Sequence, residues 1–372
     1  MPKFGVIDAD SHVLEPPDLW KNYIEPRFRS EAPELYRDAE GRDCLRIQGR
    51  IFGQGDKPIE RGIGHLGAFG AAWGHGPLHI KYSQTVEGHD PRARLRFMEA
   101  ERHDATCLYP SIGLMLGGIA DPELSAACCR AYNRWLFDFC REDPKRLLGA
   151  AMVPFISVEK AIAELRYARK ELGFKTVFLR PNPHGGRVLH SRENDPFWAA
   201  VEELDMSVAL HSGSASDLPT VAMDRYADNS MTRHLVSHTV EIALGCLSLI
   251  MRGVCERFPK VRFALFESGG GWVAGWLDRM DRHFEKTFSD AEVKTRPSDV
   301  FRRQCWVAFD PAEGSLHHVA EYIGIERVLF ATDYPHPDGV PDATRYIRES
   351  KTLSPRAQQR ILYDNAAAFF GL

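Results

Sequence analysis

Short apolar runs alternate with segments of helical period from about residue 91 to the end of the chain, and one further run opens it. The runs fall at 6–12, 105–110, 147–154, 175–180, 207–211, 261–267, 305–310 and 328–333. Between them, apolar positions recur at helical spacing over 92–103, 122–143, 158–172, 196–204, 238–258, 272–288 and 316–323, and two more helices close the chain. Runs that stay apolar on both faces predict parallel strands buried between helices rather than half-exposed antiparallel ones. Eight such units in 372 residues predict a (β/α)8 TIM barrel, an α/β fold. No G-x-G-x-x-G or G-x-x-x-x-G-K-[ST] stands at a strand–helix junction, which argues against an open nucleotide-binding sheet.

The rhythm fails between residues 29 and 88. Alternation over 45–52 predicts a short hairpin, and a glycine-rich stretch over 62–76 carries Phe69, Trp73 and His75. A connection this long inside a compact domain is usually functional. It predicts an insertion at about 30–90, after the first strand, covering the barrel mouth of a single 1–372 domain.

Composition narrows the class. A net charge of -4 gives no electrostatic case for a nucleic-acid or anionic-membrane partner. No apolar run reaches the ~18 residues of a spanning helix, and no signal-peptide core opens the chain. Eight cysteines without a C-x-x-C pair predict reduced core thiols in a cytoplasmic protein.

Chemistry enters at the strand ends, where barrel enzymes place it. Asp10 and His12 lie two apart on the first run and so share a face; Arg180 ends the fourth run and His211 the fifth. Glu267, Asp310 and Asp333 end the sixth, seventh and eighth. Ionisable side chains at so many buried strand ends need a partner, an ion or water. Imidazoles and carboxylates together suit a divalent metal such as zinc, manganese or iron. Arg180 has the fork geometry for a substrate carboxylate, or else pairs with Asp310; His336 is a candidate for substrate contact. Asp8 is expected to support the first strand from behind. His234 and His238 open the predicted 238–258 helix, where capping or exposure is the ordinary role, and His238 is kept as a candidate catalytic group. Trp272, Trp276 and Met280 are expected in the core or at a subunit contact.

The chain resembles the amidohydrolase-related family, the metal-dependent barrel group that includes aminocarboxymuconate semialdehyde decarboxylase and the resorcylate-type decarboxylases. The resemblance rests on Ile7-Asp8, Arg257-Phe258-Pro259-Lys260-Val261-Arg262, Thr332-Asp333-Tyr334-Pro335-His336 and Asp364-Asn365-Ala366-Ala367. It implies metal ligation by His12, His211 and Asp333, with Asp10 where the family usually has a first histidine, and Asp333 as general acid/base. Glu267 stands where a catalytic histidine is common, and no lysine ends the fourth strand to carry a bridging carboxylate.

The expected protein is therefore a metal-dependent hydrolase or non-oxidative carboxy-lyase for a small carboxylate-bearing substrate. Asp10, His12, His211, Glu267 and Asp333 would hold one divalent ion, or two; Asp333, Glu267 and His238 would carry the chemistry, with Arg180 and His336 on the substrate. The alternatives are a dinuclear iron or iron/manganese oxygenase using His238 as a further ligand, and an inactive barrel serving as a binding subunit. A homodimer is expected from the frequency of such assemblies.

Overall fold

The computed structural model describes residues 5–51, 53–54, 57–58, 63–78, 80–213, 217–226, 228–286 and 292–372. Eight parallel strands follow one another round a single sheet: β1 Ile7–His12, β2 Ala105–Tyr109, β3 Leu147–Ala151, β4 Thr176–Leu179, β5 Ser207–His211, β6 Arg262–Phe266, β7 Cys305–Phe309 and β8 Val328–Phe330. Their side chains are almost all buried, as expected where helices cover the outside and packed layers fill the inside. The helices begin where the chain supplies caps: Asp90 accepts from Arg92 and Ala93 N–H ahead of Pro91–Glu101, and Asp121 accepts from Glu123 and Leu124 N–H ahead of Pro122–Cys140.

The ring is nearly closed by β1 and the chain just past β8. Thr332 and Asp333 N–H donate to Asp10 O, and His12 N–H donates to Tyr334 O. Asp8 reinforces this seam from inside: its carboxylate accepts from Thr332 N–H at 3.0 Å and Thr332 Oγ1 at 2.6 Å. Buried Arg94 rivets the end of β1, donating to Ser11 Oγ at 2.7 Å and to His12 O while its guanidinium lies over the Tyr334 ring. Against β2, β1 carries a bulge, since Asp8 pairs with Thr106 but Ser11 with Leu108. Such an extra residue re-aims the side chains beyond it, here Asp10 and His12.

The insertion after β1 contains a three-stranded antiparallel sheet of Glu34–Arg37, Asp43–Ile47 and Arg50–Ile51. The hairpin turns at Gln48 and Gly49, both at positive φ (50° and 74°), the backbone that a tight two-residue turn needs. Phe52 and Gly62 lie outside the described residues. The glycine-rich segment closes over the barrel mouth, with Ala72 N–H donating to Pro337 O at 2.9 Å, Trp73 Nε1 to Asp338 O at 3.0 Å, and Phe69 against the Tyr334 ring.

Two expected helices differ, and one helix was not expected. The 238–258 helix is broken: Ser230–Leu235 leads into a π-helical turn, Val236–Val240, then Glu241–Ile250, and a left-handed Gly253 (φ 70°) precedes Val254–Arg257. Helix Trp272–Phe284 ends short of its expected limit, and residues 287 and 288 lie outside the described ones. A separate helix, Pro297–Gln304, precedes β7. All eight cysteines are free and buried, as expected. Among the described residues no helix is long and apolar enough to cross a membrane.

Candidate metal centre

Asp10 and His12 project from the bulged end of β1, and His211 ends β5; all three are buried. His12 Nδ1 lies 2.9 Å from Pro110 O, and His211 Nδ1 lies 2.8 Å from Ser212 O. A carbonyl can only accept, so each Nδ1 carries a proton and Nε2 of each ring is turned inward, with a lone pair whenever that ring is neutral. The two Nε2 atoms are 3.2 Å apart, and Asp10 Oδ1 lies 3.6 Å from the first and 3.3 Å from the second. Asp10 Oδ1 is buried without a hydrogen-bond partner, as are both oxygens of Asp333, one of which lies 3.1 Å from His12 Nε2. Asp10, His12 and His211 thus bring three donors within 4.8 Å of one another, and Asp333 joins His12 and His336 in an overlapping group. Tyr109 packs against both His211 and Phe266, giving the cluster an aromatic floor.

The electrostatics test whether a cation belongs there. Burial, reinforced by His336 and His211, holds His12 well below the ordinary histidine range. Burial also disfavours a charge on His211, yet Asp10 and Glu267 outweigh it and push His211 up to about 9. The field of these carboxylates therefore calls for positive charge. A single proton on His211 would answer only part of that demand; a divalent ion would satisfy both Nε2 atoms and Asp10, with Asp333 beside His12 at its edge. Two imidazoles with two carboxylates fit zinc, manganese or iron.

Glu267 and Asp333, just past β6 and β8, have positive φ (49° and 56°), a left-handed backbone that non-glycine side chains rarely adopt and that is concentrated at functional sites. Ser268, Gly269, Gly270 and Gly271 let the chain turn at once behind Glu267; a Cβ on Gly270 would overlap the Phe309 ring. Glu267 reaches two ways. One oxygen lies 3.5 Å from His211 Nδ1, the other 3.2 Å from His238 Nε2. Burial opposes its ionisation, but His238 and the other imidazoles hold Glu267 well below the usual carboxylate range.

His238 is neither a cap nor exposed: it is buried on the π-helical turn, and the widened turn stacks its ring on His234 at 3.7 Å. His234 in turn lies 3.3 Å from Asp338. The ligand atoms of His234, His238 and Glu267 all fall within 4.8 Å of one another, as do those of Asp10, His12 and His211. The site therefore has an inner, strand-borne group and an outer, helix-borne one. His234 and Asp338 were not singled out from the sequence as site residues; the only signal for Asp338 was its place six residues from the loop's start at Thr332.

His336 stacks on His12 at 3.9 Å and places Nδ1 3.0 Å from Asp333 and Nε2 2.8 Å from Ser111 Oγ. Ser111 was also missed; it is set by Glu15, whose buried carboxylate accepts the N–H groups of Ser111, Ile112 and Gly113. Arg180 does not pair with Asp310. Its terminal nitrogens donate to Leu114 O at 2.6 Å and Gly213 O at 3.0 Å, and Asp217 lies 3.6 Å away, because Gly213 and Asp217, past β5, lie beside it. Arg180, Ser111 and His336 border a small cavity that shares His234, His238, Glu267 and Asp338 with a main cavity of about 700 Å³. Asp310 and Trp272 line that main cavity, so Trp272 is a wall of the site, whereas Met280 is in the core.

The chain is 26% identical over 285 residues to a 2-amino-3-carboxymuconate-6-semialdehyde decarboxylase from Dictyostelium discoideum, covering 76% of this chain and 77% of that one. Its fold is similar to that of an amidohydrolase from Mycobacterium avium subsp. paratuberculosis K-10 (TM-score 0.83, 23% identity, 100% of each chain). It is also similar to a dihydroxybenzoic acid decarboxylase from Polaromonas sp. JS666, whose structure holds manganese and the inhibitor 2-nitroresorcinol (TM-score 0.70, 19% identity, 100% of this chain and 98% of that one). The model of the amidohydrolase family matches residues 7–372, and the chain belongs to that family.

Proposed function

We propose that this protein is a metal-dependent hydrolase or non-oxidative carboxy-lyase acting on a small carboxylate-bearing organic substrate. One observation carries the reading: two buried imidazole nitrogens and an unpartnered Asp10 oxygen come together at the strand ends, with unpartnered Asp333 oxygens beside the same His12. Asp10, His12, His211 and Asp333 are the proposed ligands, with Glu267 within reach. The decarboxylase activities named for the Dictyostelium and Polaromonas relatives favour the lyase branch, and the manganese of the latter supports a divalent cofactor.

When bound, the ion supplies a positive charge that polarises a coordinated carboxylate or water. The chain's own groups do the rest. Arg180 and His336 hold the substrate carboxylate at the inner end, and Asp333 passes a proton to or from the reacting atom. Glu267, backed by His238, takes the proton in the hydrolytic branch. The segment bearing Ala72 and Trp73 keeps bulk water from the mouth.

Elemental analysis of protein purified without chelator tests the metal: one ion per chain is expected, and none would end the proposal. Turnover in 18O-water then separates the branches, since CO2 release without label in the other product excludes hydrolysis. The outer group of His234, His238, Glu267 and Asp338 favours a second reading, a dinuclear oxygenase. Two irons per chain with O2 consumption would establish it over the first. The working form is proposed to be a cytoplasmic homodimer, for which light scattering should give twice the chain mass.

A further inference from the structure

Residues 242–251 carry no charge, yet they form a helix at the molecular surface. The inward side of that helix, with Ile242, Cys246, Leu249 and Ile250, is buried. The outward side is equally apolar. Val240, Ala243, Leu244, Leu247 and Met251 recur at the spacing of one stripe, Val240 and Leu244 exposed and the others half-buried. A helix that is apolar all round belongs in an interior. The stripe continues onto its neighbours. On the preceding helix, Ser230–Leu235, Met231 and Leu235 are 74% and 64% exposed, and exposed Val221 comes alongside because its N–H donates to the Glu241 carboxylate. On the other side Trp276 Nε1 donates to Ala243 O at 3.0 Å, which lays helix Trp272–Phe284 beside the stripe. That helix carries an exposed glycine, Gly275, with nothing within 4 Å of the place a Cβ would take. A mid-helix glycine is less stable than alanine, and nothing in this chain calls for it; the close approach of a helix from another molecule does.

Charge says what covers this face. The stripe is neutral, and its edges carry one acid and one base each: Asp224 with Arg225 after Val221, Arg252 with Glu292 past Met251, and Asp278 with Arg279 past Trp276. Edges of mixed sign offer nothing to a strongly charged partner, and they do not repel a copy of themselves. A two-fold axis sets the neutral stripe against its own image. Monomers rarely expose a contiguous apolar patch of more than a few hundred Å², whereas a specific dimer needs about 800 Å² per partner with an apolar centre and a polar rim. We infer that a second copy of the chain docks on this face, the Val240–Leu244–Leu247 stripes of the two copies packed across a two-fold axis. The contact also completes the site. Leu235 and Trp272 belong both to the patch and to the wall of the main cavity, and His234 and His238 ride the same helical run. A partner on the patch closes that wall and holds the turn bearing the outer imidazoles, so the outer group is fully assembled only in the dimer. The inference rests on the homodimer proposed above and adds its surface and its tie to the site.

Light scattering and hydrogen exchange on the full chain test it. The parent protein should show twice the chain mass and Leu244→Glu the mass of one chain. Tyr346→Glu should stay at twice the mass, since Tyr346 is as exposed as Leu244 (38% against 36%) but stands on helix Ala343–Arg348, outside the patch. Amides 230–238 should exchange about ten-fold or more faster in Leu244→Glu than in the parent, while those of the barrel strands stay as slow. Val240→Glu makes the same comparison if circular dichroism shows that Leu244→Glu does not fold. A parent of single-chain mass overturns the homodimer itself. A dimeric parent whose Leu244→Glu form is also dimeric, or whose Tyr346→Glu form is not, overturns the surface alone. A single-chain Leu244→Glu in which 230–238 exchange as slowly as in the parent overturns the tie to the site.

Discussion

The inner and outer halves of the site use the same two kinds of group, imidazole and carboxylate, but mount them differently. Asp10, His12 and His211 stand on strand ends whose backbones are locked into the barrel, and both ring Nδ1 atoms are fixed by backbone carbonyls. His234 and His238 stand on a widened helical turn, and Glu267 and Asp338 on the loops facing it. A strand-borne ligand keeps its place whatever happens at the mouth; a helix-borne one moves with the loops that admit substrate. The inner half is suited to hold an ion and the outer half to handle substrate and protons.

Breaking each half in turn should separate these duties. His211→Ala removes a lone pair that no neighbour can replace. It should abolish metal retention and cut kcat/KM by more than about a hundred-fold, since even outer partners of metal ligands cost ten- to a hundred-fold. Retained metal in that variant would dissolve the distinction between the halves. Glu267→Gln should leave one ion per chain and lower kcat by about a hundred-fold, the usual scale of proton transfer. Loss of metal there, measured by elemental analysis, would move Glu267 into the inner half. Trp73→Ala should raise KM several-fold while metal content and Tm stay unchanged, because the indole is 43% exposed and holds only Asp338 O.

A smaller effect is expected away from both halves. Burial lowers His103 to about 4 and His184 to about 3, the latter aided by Arg180. Each folded-state value lies below the unfolded one near 6.5, so the stability these neutral rings contribute is complete above that pH. It is lost as pH falls through about 4 and then about 3. Urea titrations across that range should show a shallower decline for His103→Gln than for the parent protein.

Much of the inner half was legible because strands advertise themselves. Ser207–His211 coincides with the apolar run that predicted it and Cys305–Phe309 matches its run to within one residue, and the ionisable residue at the end of each run, His211 and Asp310, marked the rim. The outer half was not, for a physical reason. A π-helical turn leaves no mark on a helical hydrophobic period, so His234 and His238 read as the exposed start of one long helix. Gly253 breaks that helix at a position where a tolerated mid-helix glycine would look the same. Buried charges were equally hidden. Arg94 and Glu15 have no apolar signature, and their importance lies wholly in contacts across the fold, to Ser11 and His12 in one case and to the Ser111–Gly113 amides in the other.

The clasp between Asp8 and Thr332 joins the two ends of the barrel, and the proposed ligands straddle the same join: Asp10 and His12 on one side, Asp333 on the other. An ion held there would act as a buckle across more than three hundred residues of intervening chain. It binds only while the belt is fastened, so by mass action its occupancy and the closure of the ring must rise and fall together.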